Sequence, residues 1–123
     1  MTTFTETAHP GEYLLHEVNR YMSREKVVIA SGAGVLVPGT VLGKVTASGK
    51  YVQLDQDAVD GSEVAAGILY QDVDATSADQ DAVITGGYAA VDDKHLTFPG
   101  DIDAGEKTTA IAQLKTLDIV VVL

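Results

Sequence analysis

The sequence predicts an α+β domain that is predominantly β. The expected form is a small barrel-like or tulip-like body, one C-terminal helix packed on it, and a flexible N-terminal arm. Three observations carry this prediction. Short apolar runs such as Val35–Leu36 and Val41–Leu42 are broken repeatedly by Gly and Asp, the pattern of strands joined by tight turns. The strongest helix-capping signal, Asp103-Ala104-Gly105-Glu106, stands near the C-terminal end. The first ten residues, M-T-T-F-T-E-T-A-H-P, show no apolar period. The domain division that follows is an arm over residues 1–24 and a single compact unit over 25–123.

Taken in order, residues 1–10 read as an extended stretch closed by Pro10. From Gly11 to Ser23, steps of 100° place Leu14, Leu15, Val18, Tyr21 and Met22 on one stripe, with Glu12, His16, Glu17, Asn19 and Arg20 opposite. That spacing predicts a short amphipathic helix. The entropy of ordering so short a helix nearly cancels what its apolar side chains gain on burial, so the segment needs a surface to order against. That surface is either the protein's own core or a partner.

Lys26–Ala30 is the first expected strand. In Val35–Val45, V-L-V-P-G-T-V-L-G-K-V, Pro38 presets φ and Gly39 accepts positive φ, which predicts a type II turn between two strands. Ala47–Lys50 should turn the chain so that Tyr51–Leu54 returns as a hairpin. Asp55–Gly61 reads as an acidic loop ending in a turn. Val64–Tyr70 is a continuous apolar run, expected to be buried on both faces, and Gly67 within it predicts a bulge or a close neighbour. Asp72–Asp81 reads as an acidic loop. Ala82–Val91 reads as a strand bent at Gly86-Gly87, followed by a turn at Asp92-Asp93-Lys94. His95–Phe98 is a short extended piece stopped by Pro99-Gly100. Asp103 as N-cap with Glu106 at N3 forms a near capping box. Ile111, Leu114 and Leu117 continue the helix, and Ile119–Val122 is strongly disposed to a strand. That strand should pair within a sheet or at a subunit contact.

Bulk properties exclude several classes. The chain has 123 residues, room for one domain with a real core, and a net charge of −10. Its eight Lys and Arg are scattered, which argues against nucleic acid as a partner. No stretch approaches the ~20 apolar residues that span a bilayer, so no membrane is expected. Residues 1–7 lack the apolar run of a signal peptide. There is no cysteine, which removes disulfides, thiolate zinc sites and thiol nucleophiles and fits synthesis in a reducing cytoplasm.

Candidate chemistry is thin. Gly32-Ala33-Gly34 lacks the third glycine of a dinucleotide loop, since Val37 stands there, and a strand follows in place of a helix. The pairs Asp72/Asp74 and Asp79/Asp81 lack a glycine-centred calcium loop and read as solvated acids. His9, His16 and His95 fall in different elements and form no metal pair. No nucleophile elbow accompanies the many Ser and Thr. Asp93-Lys94 at a predicted hairpin tip faintly resembles a lipoyl or biotinyl carrier, although such carriers lack a capped C-terminal helix. The expectation is a protein that is not an enzyme, with no cofactor and no metal.

Pro38–Val45 (P-G-T-V-L-G-K-V), Asp60–Tyr70 (D-G-S-E-V-A-A-G-I-L-Y), and Phe98-Pro99 leading to a helix and terminal strand occur in one order. Ahead of them stand G-E-Y-L-L-H-E and S-R-E-K-V-V-I-A. Together, over residues 11–123, these pieces resemble the bacteriophage lambda-type head decoration protein D family of capsid-stabilising proteins. The resemblance implies a homotrimer on the outer surface of the virion head, made in the bacterial cytoplasm. It would sit at local three-fold positions, clamping the major capsid protein against internal DNA pressure. It also implies an arm that orders on the shell. Its contact residues here would be Phe4, Tyr13, Leu14, Leu15, Val18, Tyr21 and Met22. Pro38, Gly39, Gly43, Gly67, Phe98 and Pro99 would form framework turns. The Leu14–Met22 stripe departs from the longer polar arm of the best-known member, so docking of a helix competes with addition of a strand. A surface adhesive or carbohydrate-binding module is the rival reading, weakened by the absence of Trp.

Overall fold

The computed structural model describes residues 11–17, 23–100 and 102–122. Ten strands are present among them: β1 (Leu14–Glu17), β2 (Arg24–Ile29), β3 (Gly34–Leu36), β4 (Val41–Lys44), β5 (Tyr51–Gln53), β6 (Ala65–Leu69), β7 (Val73–Ala75), β8 (Gln80–Thr85), β9 (Ala89–Asp92) and β10 (Ile119–Val122). One α-helix, α1 (Ala104–Thr116), precedes the last of them. Strands β2-β5-β4-β6-β8 close into a barrel, β1-β9-β10 form a three-stranded sheet, and β3-β7 form a two-stranded one. The expected mainly β body with one C-terminal helix is therefore the observed fold.

Turn chemistry explains much of the barrel. Gly39 takes φ +91°, the Thr40 amide donates to the Val37 carbonyl at 3.2 Å, and the chain reverses at Pro38-Gly39 as that pair requires. Past it, β4 pairs antiparallel with β5 in the hairpin register Leu42↔Gln53 to Lys44↔Tyr51. The apolar run of β6 is explained by two cores that share strands. Val41 and Ile68 point into one cluster with Leu114 of α1, whereas Leu42 and Leu69 point into the barrel with Ile29 and Ile84. Strands between two cores lose the polar alternation of a half-solvated sheet. A Cβ on Gly67 would lie 2.8 Å from Ile84 Cδ1, the close neighbour its position predicts.

Helix α1 is capped as its sequence dictates. The Asp103 carboxylate accepts from the Glu106 amide at 2.7 Å, and Glu106 accepts from the Asp103 amide at 3.2 Å. Ala110 and Leu114 are its buried residues, facing β6 and β10. Gln113 lends an oxygen to the Ala65 amide at 2.8 Å, tying helix to barrel.

Four expectations are corrected. Leu14–Glu17 is a strand paired antiparallel with β9, not part of a helix over Gly11–Ser23. A distant partner strand satisfies its backbone, and the core takes Tyr13. Asp72–Asp81 is not all loop, because Val73 and Ala75 alternate inward around exposed Asp74 to make β7, and β8 begins at Gln80. Ala82–Val91 is not one bent strand. Past Gly86-Gly87 the chain leaves the barrel sheet and enters the sheet of β1 and β10. Lys94 is not at a hairpin tip either. It lies in a 3-10 turn, Asp93–His95, on a crossover that returns through α1 to a parallel strand, which removes the feature the carrier reading rested on.

Candidate functional site

The segment expected to serve as an arm is, where it is described, built into the body. The Gly11 amide donates to the Tyr70 carbonyl at 2.9 Å, and the Asp92 amide donates to the Tyr13 carbonyl at 2.8 Å. The Tyr13 side chain is 0 % exposed within the core shared by barrel, sheet and helix. Its hydroxyl lies 2.6 Å from that of Thr85, which is also fully buried. Burial pushes the phenol well above its ordinary range, and the Thr85 hydrogen bond offsets this only in part. The phenol is therefore a neutral, fixed plug and has no acid–base role near neutrality.

Charged groups reinforce this anchor. Both Glu17 carboxylate oxygens accept from Arg24, at 3.0 and 3.1 Å, in the fork geometry that makes Arg–carboxylate pairs directional. The same guanidinium lies 4.5 Å from the centre of the Tyr70 ring. The His95 ring nitrogens lie 3.9 Å from Glu12 and 3.1 Å from Asp92. Gly11, Tyr13 and Glu17 are thus held to β6, β8, β9 and β2 at one end of the barrel.

The expected contact residues divide accordingly. Tyr13 is an internal side chain with no face to offer a partner, so its place in the contact set is corrected to that of an anchor. Leu14 is half-buried against the same core, and Leu15 is 54 % exposed. Phe4, Val18, Tyr21 and Met22 lie outside the described residues. The framework positions serve packing. Pro38 and Gly39 make the turn, Gly67 admits Ile84, and a Cβ on Gly43 would collide with the Ser62 carbonyl oxygen. Phe98 packs on the core with Lys107 Nζ 5.2 Å from its ring centre, and Pro99 is half-buried. Sequence reasoning missed Thr85 and Arg24 as partners of the anchor, since both are joined to it by long-range packing without a local motif.

Open hollows occur among the described residues. One, of about 590 Å³, lies between Ser31–Ala33, the loop from Asp55 to Ser62, and Pro99-Gly100. Another, of about 430 Å³, is largely apolar and lies on the sheet among His16, Tyr88, Ala89, Ala90, Asp118 and Val120. Among the described residues, no three His, Asp or Glu side chains gather as metal ligands would, and no described helix is long and apolar enough to cross a membrane.

The polar groups described above serve turns, the helix cap and the anchoring of Gly11–Glu17 to the barrel. In a comparison with protein families, the family model described as bacteriophage lambda head decoration protein D matches residues 3–119. The chain belongs to that family, whose members are structural head proteins rather than catalysts. A search of curated proteins finds no match.

Proposed function

We propose that this chain decorates the outside of an expanded phage head as a homotrimer at local three-fold positions, clamping neighbouring major capsid subunits against the pressure of packaged DNA. The family match over residues 3–119 is the observation that carries this reading. The binding element is the arm of residues 1–24, now with a defined root: Phe4, Leu15, Val18, Tyr21 and Met22 supply contacts, while Tyr13 fixes the arm to the body. Anchoring at Gly11 and Tyr13 supports such a division, because a tether with a fixed origin limits the volume its end must search. Three arms on one trimer act together once the first has docked, so weak single contacts become firm attachment without tight binding by any one of them.

Co-sedimentation with empty expanded capsids tests this. The full chain should pellet with the capsids. A chain lacking residues 1–10 should keep its melting temperature and bind more weakly, because Phe4 is lost while Leu15, Val18, Tyr21 and Met22 remain. Undiminished pelleting of the truncated chain would overturn the role of the arm, and failure of the full chain to pellet would overturn the reading itself.

A further inference from the structure

Stretches that the sequence keeps apart meet at the side chain of Arg24. The residue opens β2 and stands opposite Thr85 of β8, whose hydroxyl lies 2.6 Å from that of Tyr13. From there the guanidinium reaches in two directions. In one it grips both carboxylate oxygens of Glu17 on β1, at 3.0 and 3.1 Å. In the other it lies over the Tyr70 ring, 4.5 Å from its centre. That ring is also the seat of Gly11. The Gly11 amide donates to the Tyr70 carbonyl at 2.9 Å, and a Cβ on Gly11 would lie 2.8 Å from Tyr70 Cε2. Gly11 takes φ +69° there, a backbone conformation that glycine adopts without steric cost. Residues 1–10 therefore set out from a glycine pressed on a ring that Arg24 also holds. An ordinary surface ion pair contributes little. This one is a fork, its side chains keep only 30 % and 19 % of their exposure, and its cation is shared with an aromatic face. Lysine would supply the charge but neither the fork nor the flat stacking surface.

We propose that Arg24 is a positioning residue for capsid binding. It touches no partner itself and, through Tyr70 and Glu17, fixes the point and direction from which residues 1–10 leave the body. The inference rests on the reading above that those residues bind the head. Ten residues reach at most about 36 Å, so the place and heading of their start decide what they can meet on a shell. Several arms on one assembly multiply that effect, because the effective concentration of each undocked arm depends on where its tether begins. Tyr13 keeps the segment in the body, and Arg24 aims it.

Arg24→Gln removes the fork and the cation while keeping a long polar side chain. Its melting temperature should stay within about 5 °C of the parent, as expected for a partly exposed ion pair. Hydrogen exchange of the Gly11 amide in the free protein should quicken at least about threefold, and co-sedimentation with empty expanded capsids should weaken about tenfold. Arg24→Lys should recover only part of that binding. The same Arg24→Gln change in a chain lacking residues 1–10 should alter the remaining binding by less than about twofold, since the segment it aims is gone. An equal loss in both chains would mean that Arg24 meets the shell directly or acts through the core, and would overturn the proposal. Unchanged Gly11 exchange, undiminished binding by Arg24→Gln, or full recovery by lysine would overturn it too. A fall of more than about 10 °C in melting temperature would make Arg24 part of the cooperative core and sink it likewise. If the unsubstituted full chain does not pellet, the head-binding reading fails, and Gly11 exchange alone decides whether Arg24 fixes the root of the segment.

Discussion

Replacing Tyr13 with alanine should cripple the fold of the free protein, although the residue lies in a segment whose sequence reads as a detachable arm. Its side chain is fully buried beside Val41, Ile68, Val91 and Leu114. Truncating a buried aromatic costs about 3–5 kcal/mol from lost transfer and the cavity left behind. The Thr85 hydroxyl, buried and 2.6 Å from the phenol, loses its partner and adds about 1 kcal/mol or more. Domains of this kind have roughly 5–15 kcal/mol in total, so about a quarter or more of the stability should vanish. At roughly 2–8 °C per kcal/mol, calorimetry should show the melting temperature falling by about 10 °C or more. Tyr13→Phe keeps the ring and should lose only about 1 kcal/mol. If Tyr13→Ala melts within about 3 °C of the parent, the anchor is not part of the cooperative core and the reasoning fails.

Gly43→Ala should destabilise by about 2 kcal/mol or more, because the new methyl meets the Ser62 carbonyl of the backbone, which cannot rotate away; urea unfolding measures this, and a near-neutral result would mean that the Ser62 loop yields freely. Acid should also weaken the fold. The Asp60, Asp74, Asp79 and Asp92 carboxyls are all held below their ordinary range, by the Ser62 hydroxyl, the Thr76 hydroxyl, Lys50 and the Lys94 amide respectively. The unfolded chain therefore binds protons first, so their stabilisation is complete above the ordinary carboxylate value of about 4 and is lost as pH falls through it toward the depressed values. Melting temperature should decline below about pH 4, and a flat profile down to pH 2 would contradict these hydrogen bonds.

Where a structural cause is local, the chain states it openly. Pro38-Gly39 specifies its turn, Asp103 and Glu106 specify the start of α1, and the unbroken apolar run at β6 specifies a strand buried on both faces. Where the cause is a distant partner, the local pattern misleads. Leu14, Leu15 and Val18 fit a helical stripe, but Tyr13 finds its hydroxyl partner 72 positions away, and β1 finds its ladder on β9. β7 is hidden for a different reason: three residues around one aspartate are too few to show alternation. The closure of the barrel depends on Arg24–Ile29 meeting Gln80–Thr85, which no short window of sequence contains. For this same reason the sequence leaves open whether the segment from Gly11 orders on the protein's own core or on a partner, and the structure shows Tyr13 in the core.

Strand β9 also sets the order of events during synthesis. Its antiparallel neighbour β1 comes from early in the chain and its parallel neighbour β10 from late in it, with the helix that packs on β10 and β6 made in between. Non-local and parallel pairings close slowly, since the intervening chain must lose its freedom before any contact rewards it. The barrel strands can meet once β8 has left the ribosome, and β1 can pair with β9 once Asp92 has, but the sheet stays one strand short until Ile119–Val122. A nascent chain can therefore seat its early segment on β9 before the core around Tyr13 is complete, and that core closes last, when Ala110, Leu114 and Ile119 arrive.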